Sequence, residues 1–247
     1  EIFEYLGWCS WDSMHIHVCH DGLIEKAKEF KAKKVPVKFA ILDDMWANVP
    51  SFKELAKDAT FGEMVHCMHR GRLDCFEGAP ERFPQGIKAA IDDIKKLGID
   101  NVGVWFPTTG YWKGFLPGGK DAESLGDVLG YTQNFVWTHA VDSEDDSMLI
   151  VKPDEENTQK FFDEMCRRVK EWNGDFVKID NQGFHKCYKD MLPIGESSKN
   201  VQKAIDKAVN KHLNGNIINC MGMASECMFN RPDSAVSRCS DDFCPES

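Results

Sequence analysis

No apolar run in this 247-residue chain approaches the roughly 20 consecutive residues needed to cross a bilayer. Its first residues also lack the basic, apolar and small-residue blocks of a signal peptide. Basic residues are in the minority, 30 Lys and Arg against 40 Asp and Glu, and the formal charge of -10 argues against a nucleic-acid surface. Neutral or cationic small molecules stay open as ligands. A glycine-rich phosphate turn is missing after the first strand-like segment, where "WCSWDSMH" stands instead. The paired CxxC or HExxH spacing of a strong zinc site is missing as well. "HCMH" at 66–69 and Cys239 with Cys244 do not supply it, so neither metal nor cofactor is expected. The ten cysteines are scattered through a chain far larger than disulfide-dependent domains, which implies reduced thiols and a cytoplasmic protein.

What is present is an alternation of strand-like and helix-like segments, with 42% hydrophobic residues to bury. "EYLGWCSW", "VKFAILDD", "NVGVWF", "DFVKID", "NIINCM" and "SAVSRCSDD" read as strands. Between them, "GLIEKAKEFKAKKV", "FPQGIKAAIDDIKKLG", "PDEENTQKFFDEMCRRVKEW" and "SSKNVQKAIDKAVNKHL" read as amphipathic helices. Such alternation predicts a parallel sheet covered by helices. With no phosphate turn, the (β/α)8 TIM barrel of the α/β class is favoured over a doubly wound sheet. Six βα units can be counted, so residues 1–247 are expected to be a single catalytic barrel segment of a longer protein. Two irregular stretches, about 47–82 and 107–152, are too long for ordinary βα loops and read as insertions.

In a barrel, functional residues gather where strands end. Those ends carry Trp11 and Asp12, Asp43 and Asp44, Trp105, Lys178 and Asp180, Cys220, and then Arg238, Asp241 and Asp242. Within "DFVKIDNQ" the side chains alternate, so Lys178 and Asp180 share one face and Val177 and Ile179 the other. A charged pair facing a sheet interior is costly unless paired, hydrated or used. A structural salt bridge is one account of it. An Asp after a strand also often caps the next helix. That reading is weakened at Asp43 and Asp44, which precede Met45 and Trp46 rather than a clear helix. Carboxylates among tryptophans point to sugar, whose ring faces stack on aromatics while acids accept its hydroxyls. The same acids can do glycoside chemistry.

The ordered motifs "LGWCSWD", "LDDMW", "GYW", "VKIDNQ", "INCM" and "RCSDDFCP" resemble glycoside hydrolase family 36, most of all its raffinose synthase, seed imbibition protein and alkaline α-galactosidase branch. The resemblance implies a metal-free retaining enzyme acting on α-galactoside oligosaccharides of the raffinose type. Asp180 in the K-x-D motif matches the nucleophile. The R-x-S-D-D motif carries the acid/base, placed at Asp241 in preference to Asp242. Asp43 and Asp44 match the pair that holds galactose hydroxyls, Lys178 matches a sugar-binding lysine, and Trp11, Trp46, Trp105, Cys220 and Arg238 fall at subsite positions. A retaining reaction further implies a separation of roughly 5–6 Å between the two catalytic carboxyl groups. Three departures from the family pattern stand out. Met45 replaces a usual glycine, which is expected to add bulk beside the sugar, Phe106 replaces a common histidine, and Cys244 replaces a common tyrosine.

Three other readings compete. A galactosyl-transferring synthase would use the same residues with a sugar as acceptor. A magnesium-dependent barrel enzyme of enolase type would take Asp43, Asp44 and Asp180 as ligands and Lys178 as base. A sugar-binding protein without turnover would have little need of both matched catalytic carboxylates.

Overall fold

Five of the six strand-like segments form one parallel sheet in the computed structural model, which describes residues 2–56, 58–133, 147–234 and 236–242. The chain runs through β1 (Gly7–Cys9), α1 (Trp11–Met14), α2 (His20–Ala32), β2 (Phe39–Leu42) and β3 (Ala47–Asn48). It continues through α3 (Phe61–Arg70), β4 (Cys75–Gly78), α4 (Gly86–Lys96), β5 (Asn101–Pro107) and α5 (Lys120–Leu125). Then come β6 (Leu129–Thr132), β7 (Met148–Val151), α6 (Glu155–Glu171), β8 (Phe176–Asp180), α7 (Ile194–Leu213), β9 (Ile217–Asn219) and α8 (Ser225–Met228). The main sheet has the order β1-β2-β5-β8-β9, each strand parallel to the next, and curls as a half-barrel of the TIM type. In the expected sixth strand, the described residues contribute a single parallel bridge, Asn219 to Ser237.

Helix formation follows the apolar spacing. In α4, Ile87, Ala90, Ile91 and Ile94 form one buried stripe, and in α6 Phe161, Phe162, Met165 and Val169 do the same. The Asp154 side chain caps α6 by accepting from the Asn157 N–H, and Arg168 and Lys170 in its last turn suit the macrodipole. These stripes join Val102, Val104, Val177 and Ile179 of the sheet in one continuous core. The opposite face of β8 is the one that carries Lys178 and Asp180.

The described residues of the two long insertions hold secondary structure. The first contains an antiparallel pair, β3 with β4, and α3, whose Thr60 and Glu63 form a reciprocal capping box. The second contains α5 and the antiparallel pair β6 and β7. Met64 and Met68, on the apolar face of α3, are buried as packing residues. None of the nine cysteines among the described residues forms a disulfide, while Cys244 lies outside them. Among the described residues no helix is long and apolar enough to cross a membrane.

Candidate active site

Parallel register brings the strand ends to one rim. Trp105 is level with Lys178 and Pro107 with Asp180, while Asp43 and Asp44 directly follow β2. The result is a cavity of about 300 Å3 lined by Trp11, Asp43, Asp44, Trp105, Lys178, Asp180, Arg238 and Asp242, within the size range of small-molecule pockets. Phe61, Met68, His69, Trp112 and Met221 add to its wall.

Asp180 is held from both sides. Its Oδ2 accepts from the Trp105 indole N–H at 2.9 Å, and its Oδ1 from the Asn181 backbone N–H at 2.7 Å. Burial pushes its carboxyl above the ordinary range, opposed by the Lys178 ammonium and those two donors. Lys178 in turn donates to Asp43 Oδ2 at 2.6 Å, which also accepts from the Cys9 thiol at 3.1 Å. Burial disfavours charge on Lys178, yet Asp43, Cys9, Cys220 and Asp180 together outweigh it and hold the ammonium above its usual range.

Asp44 accepts from three donors. Tyr111 OH at 2.7 Å and the Met45 N–H at 2.5 Å reach Oδ1, and the Trp112 indole reaches Oδ2 at 2.7 Å. Even so, complete burial pushes its carboxyl up to about 7. In the same cavity, Asp242 Oδ2 accepts from the Trp11 indole at 3.0 Å and Oδ1 pairs with Arg238 Nη1 at 2.6 Å. Indole N–H groups therefore hold three of the carboxylates in the cavity, with the aromatic rings forming its walls.

The family described as raffinose synthase or seed imbibition protein Sip1 matches residues 1–247, the whole chain. The chain belongs to that family. It is thus a member of the raffinose synthase branch of glycoside hydrolase family 36. One relative is a probable galactinol–sucrose galactosyltransferase 6 of Arabidopsis thaliana, 30% identical over 99% of this chain and 33% of the relative. Another is a probable galactinol–sucrose galactosyltransferase 1 of the same plant, 26% identical over 99% of this chain and 35% of the relative. The chain spans about a third of the length of these curated relatives. Among solved structures, the fold matches the α-galactosidase of Thermus thermophilus in complex with stachyose, with a TM-score of 0.59 at 15% identity, covering 94% of this chain and 42% of that one. It also matches a GH36 α-galactosidase variant of Geobacillus stearothermophilus in complex with stachyose. There the TM-score is 0.60 at 13% identity, covering 92% of this chain and 29% of that one.

Not every residue singled out in this family member's sequence lies in the cavity. Trp46 is in the core, 1% exposed, where its indole donates to the Trp105 carbonyl at 2.8 Å and its ring meets Phe76 edge-on at 4.9 Å. Its neighbour Met45 adopts φ of +75° and lines a separate cavity with Phe52 and Arg82 rather than the one that holds Asp180. Phe106 is likewise a core residue, packed edge-on against Phe76 at 5.3 Å. Asp241 and Cys220 line a second, larger cavity of about 740 Å3 that shares Met221, Arg238 and Asp242 with the first. Cys220 remains close to Asp180, and burial pushes its thiol up to about 12.

Sequence reasoning passed over Trp112, Tyr111 and His69 as site residues. The "GYW" motif was the available signal for the first two, whose partner Asp44 lies 68 and 67 residues away. His69 comes from the "HCMH" segment, where a metal reading had to be weighed. It is buried, lines the cavity and meets Trp112 edge-on at 5.5 Å.

Proposed function

We propose that this chain carries the galactose-binding and catalytic site of an enzyme that transfers an α-galactosyl group through a covalent intermediate on Asp180, with Asp242 as acid/base. The observation that carries this reading is the convergence of Asp180 and Asp242 on one small cavity also lined by Asp43, Asp44, Lys178 and three tryptophans. Asp241, preferred from the sequence, faces the neighbouring cavity. In the first step an Asp180 oxygen bonds to the anomeric carbon as the glycosidic C–O bond breaks, and the leaving oxygen takes the proton of Asp242. In the second, Asp242 removes a proton from an acceptor hydroxyl, whose oxygen attacks the anomeric carbon and releases Asp180. Asp43, Asp44 and Lys178 supply the polar contacts for ring hydroxyls, and the indoles the apolar wall.

The acceptor is water in a hydrolase and a sugar hydroxyl in a synthase. The names of the curated relatives favour the synthase reading, and so does the 740 Å3 cavity beyond Asp242, which has room for a second sugar. A magnesium site finds less support. Asp43 is engaged by an ammonium, and both oxygens of Asp44 and of Asp180 accept from protein donors. The test uses the full-length protein with p-nitrophenyl α-galactoside and with raffinose, each with and without added sucrose, in buffer with and without EDTA. Expected are EDTA-insensitive turnover, first products of α configuration by NMR, and a galactosylated sucrose when sucrose is added to the aryl galactoside. No turnover of any α-galactoside, or a first product of β configuration, would overturn the reading.

A further inference from the structure

The segment bearing Arg238 and Asp242 has little sheet of its own to hold it. Its described ladder contacts are Asn219 N–H to the Val236 carbonyl at 3.0 Å and Arg238 N–H to the Asn219 carbonyl at 2.8 Å. Side chains supply the remaining support, and Arg231 is at their centre. Its Nη1 donates to Gln182 Oε1 at 3.1 Å, and its Nη2 to Ser237 Oγ at 2.8 Å. Gln182 lies two residues beyond Asp180, and Ser237 immediately precedes Arg238. One planar guanidinium therefore clamps the end of the nucleophile strand to the segment that carries the opposing acid.

The clamp is buried and cross-braced. Arg231 is 4% exposed, Gln182 2% and Asn219 1%. The Gln182 amide donates to both the Ile179 carbonyl and Asn219 Oδ1 at 2.9 Å, and Asn219 donates to Ser234 Oγ at 2.6 Å and the Val236 carbonyl at 2.9 Å. From α7, the Asp206 carboxylate favours the charge on Arg231, which burial opposes. There is no slack around the fork: a Cβ on Gly222 would come within 2.7 Å of Arg231 Nη1. Lysine could not do the same, because a single ammonium lacks the rigid pair of N–H directions that reach two acceptors on different elements.

We propose that Arg231 is a positioning residue for the glycosyl-transfer step, setting Asp242 relative to Asp180 through its paired contacts with Gln182 and Ser237. The inference rests on Asp180 and Asp242 being nucleophile and acid. Arg231 lies outside both cavities described above and touches no substrate in this assignment. Its effect should therefore appear where proton delivery limits the reaction. The decisive comparison is kcat/KM for raffinose, whose sugar leaving group needs a proton, against kcat/KM for p-nitrophenyl α-galactoside, whose leaving group needs none.

In the full-length protein, Arg231→Met should lower kcat/KM for raffinose roughly 10–100-fold while changing the aryl value by no more than about 3-fold, the pattern of a misplaced acid. Ser237→Ala, which removes one arm of the clamp and little volume, should show the same selectivity at about 3–10-fold. Equal losses on both substrates, or none on either, would overturn the proposal. If Arg231→Met does not fold, Ser237→Ala alone decides it by the same ratio. Asp242→Ala serves as the control. If it too lacks leaving-group selectivity, the assignment of the acid fails and the positioning role falls with it. If it keeps that selectivity while Arg231→Met and Ser237→Ala lack it, the positioning role alone is wrong.

Discussion

Lys178 Nζ lies 2.6 Å from Asp43 Oδ2, and the two side chains are only 8% and 3% exposed, so a buried ion pair joins β8 to the end of β2 beside Asp180. Breaking such a pair from one side leaves the other charge buried, at a cost of about 3–5 kcal/mol, whereas removing both charges costs much less. Lys178→Met is therefore expected to destabilise the protein by about that amount. Lys178→Met with Asp43→Asn should be less destabilised than the sum of the single variants. Urea unfolding of all four proteins in a double-mutant cycle measures the coupling. Additive losses would show that the pair has no joint energetic role.

Asp44 gives a pH dependence of defined sign. Its carboxyl is raised by burial to about 7 in the folded protein, far above its unfolded value. The folded state then holds a proton that the unfolded state has lost. The corresponding stability is present at about pH 4 and below and disappears as pH rises through 7. Asp44→Asn cannot ionise, so the difference in Tm between variant and wild type should shift in favour of the variant between pH 4 and 8. A difference that is constant over this range would place the Asp44 carboxyl near its ordinary value.

Much of this site was legible because barrel strands deliver their C-terminal ends to one rim, so position along the sequence already implies convergence. Alternation in "DFVKID" was enough to put Lys178 and Asp180 on one face. The choice between Asp241 and Asp242 was not legible. They are neighbours, and their segment, bridged to the sheet only at Ser237 among the described residues, has no strand periodicity from which to assign a face. Trp46 misled for a backbone reason. A tryptophan beside two strand-end carboxylates reads as a sugar platform, yet the left-handed turn at Met45 leads it into the core. The insertions read as irregular in the sequence because β3, β4, β6 and β7 have only two to four residues, too short for a periodic signal.

Met45 reverses a familiar order of substitutions. It holds φ of +75° with 1% exposure, so both its backbone and its side chain are under constraint. Alanine would lose the packing and keep the backbone penalty, of order 1–2 kcal/mol for a left-handed L-residue. Glycine would lose the same packing and relieve that penalty. Both variants should be destabilised, but Met45→Gly by about 1 kcal/mol less than Met45→Ala. Thermal unfolding of the two variants side by side checks the order. A more stable alanine variant would contradict the left-handed turn.

The acid/base assignment separates two adjacent carboxyls. Asp242 is bonded to the Trp11 indole and lines the same cavity as Asp180, whereas Asp241 lines only the neighbouring one. In the full-length protein, Asp180→Ala should abolish turnover of every α-galactoside because it removes the oxygen proposed to bond to the anomeric carbon. Asp242→Ala should lose roughly 10²–10⁴-fold in kcat/KM on raffinose yet cleave p-nitrophenyl α-galactoside with kcat/KM little changed. Its second step then lacks a base, so added azide, which attacks without one, should raise kcat on the aryl substrate and yield the galactosyl azide. Asp241→Ala should show neither the leaving-group selectivity nor the azide response. The measurements are kcat and kcat/KM on both substrates with and without azide, with the adduct identified by mass spectrometry. Azide rescue in Asp241→Ala but not in Asp242→Ala would exchange the two roles and return the acid to the position preferred from sequence.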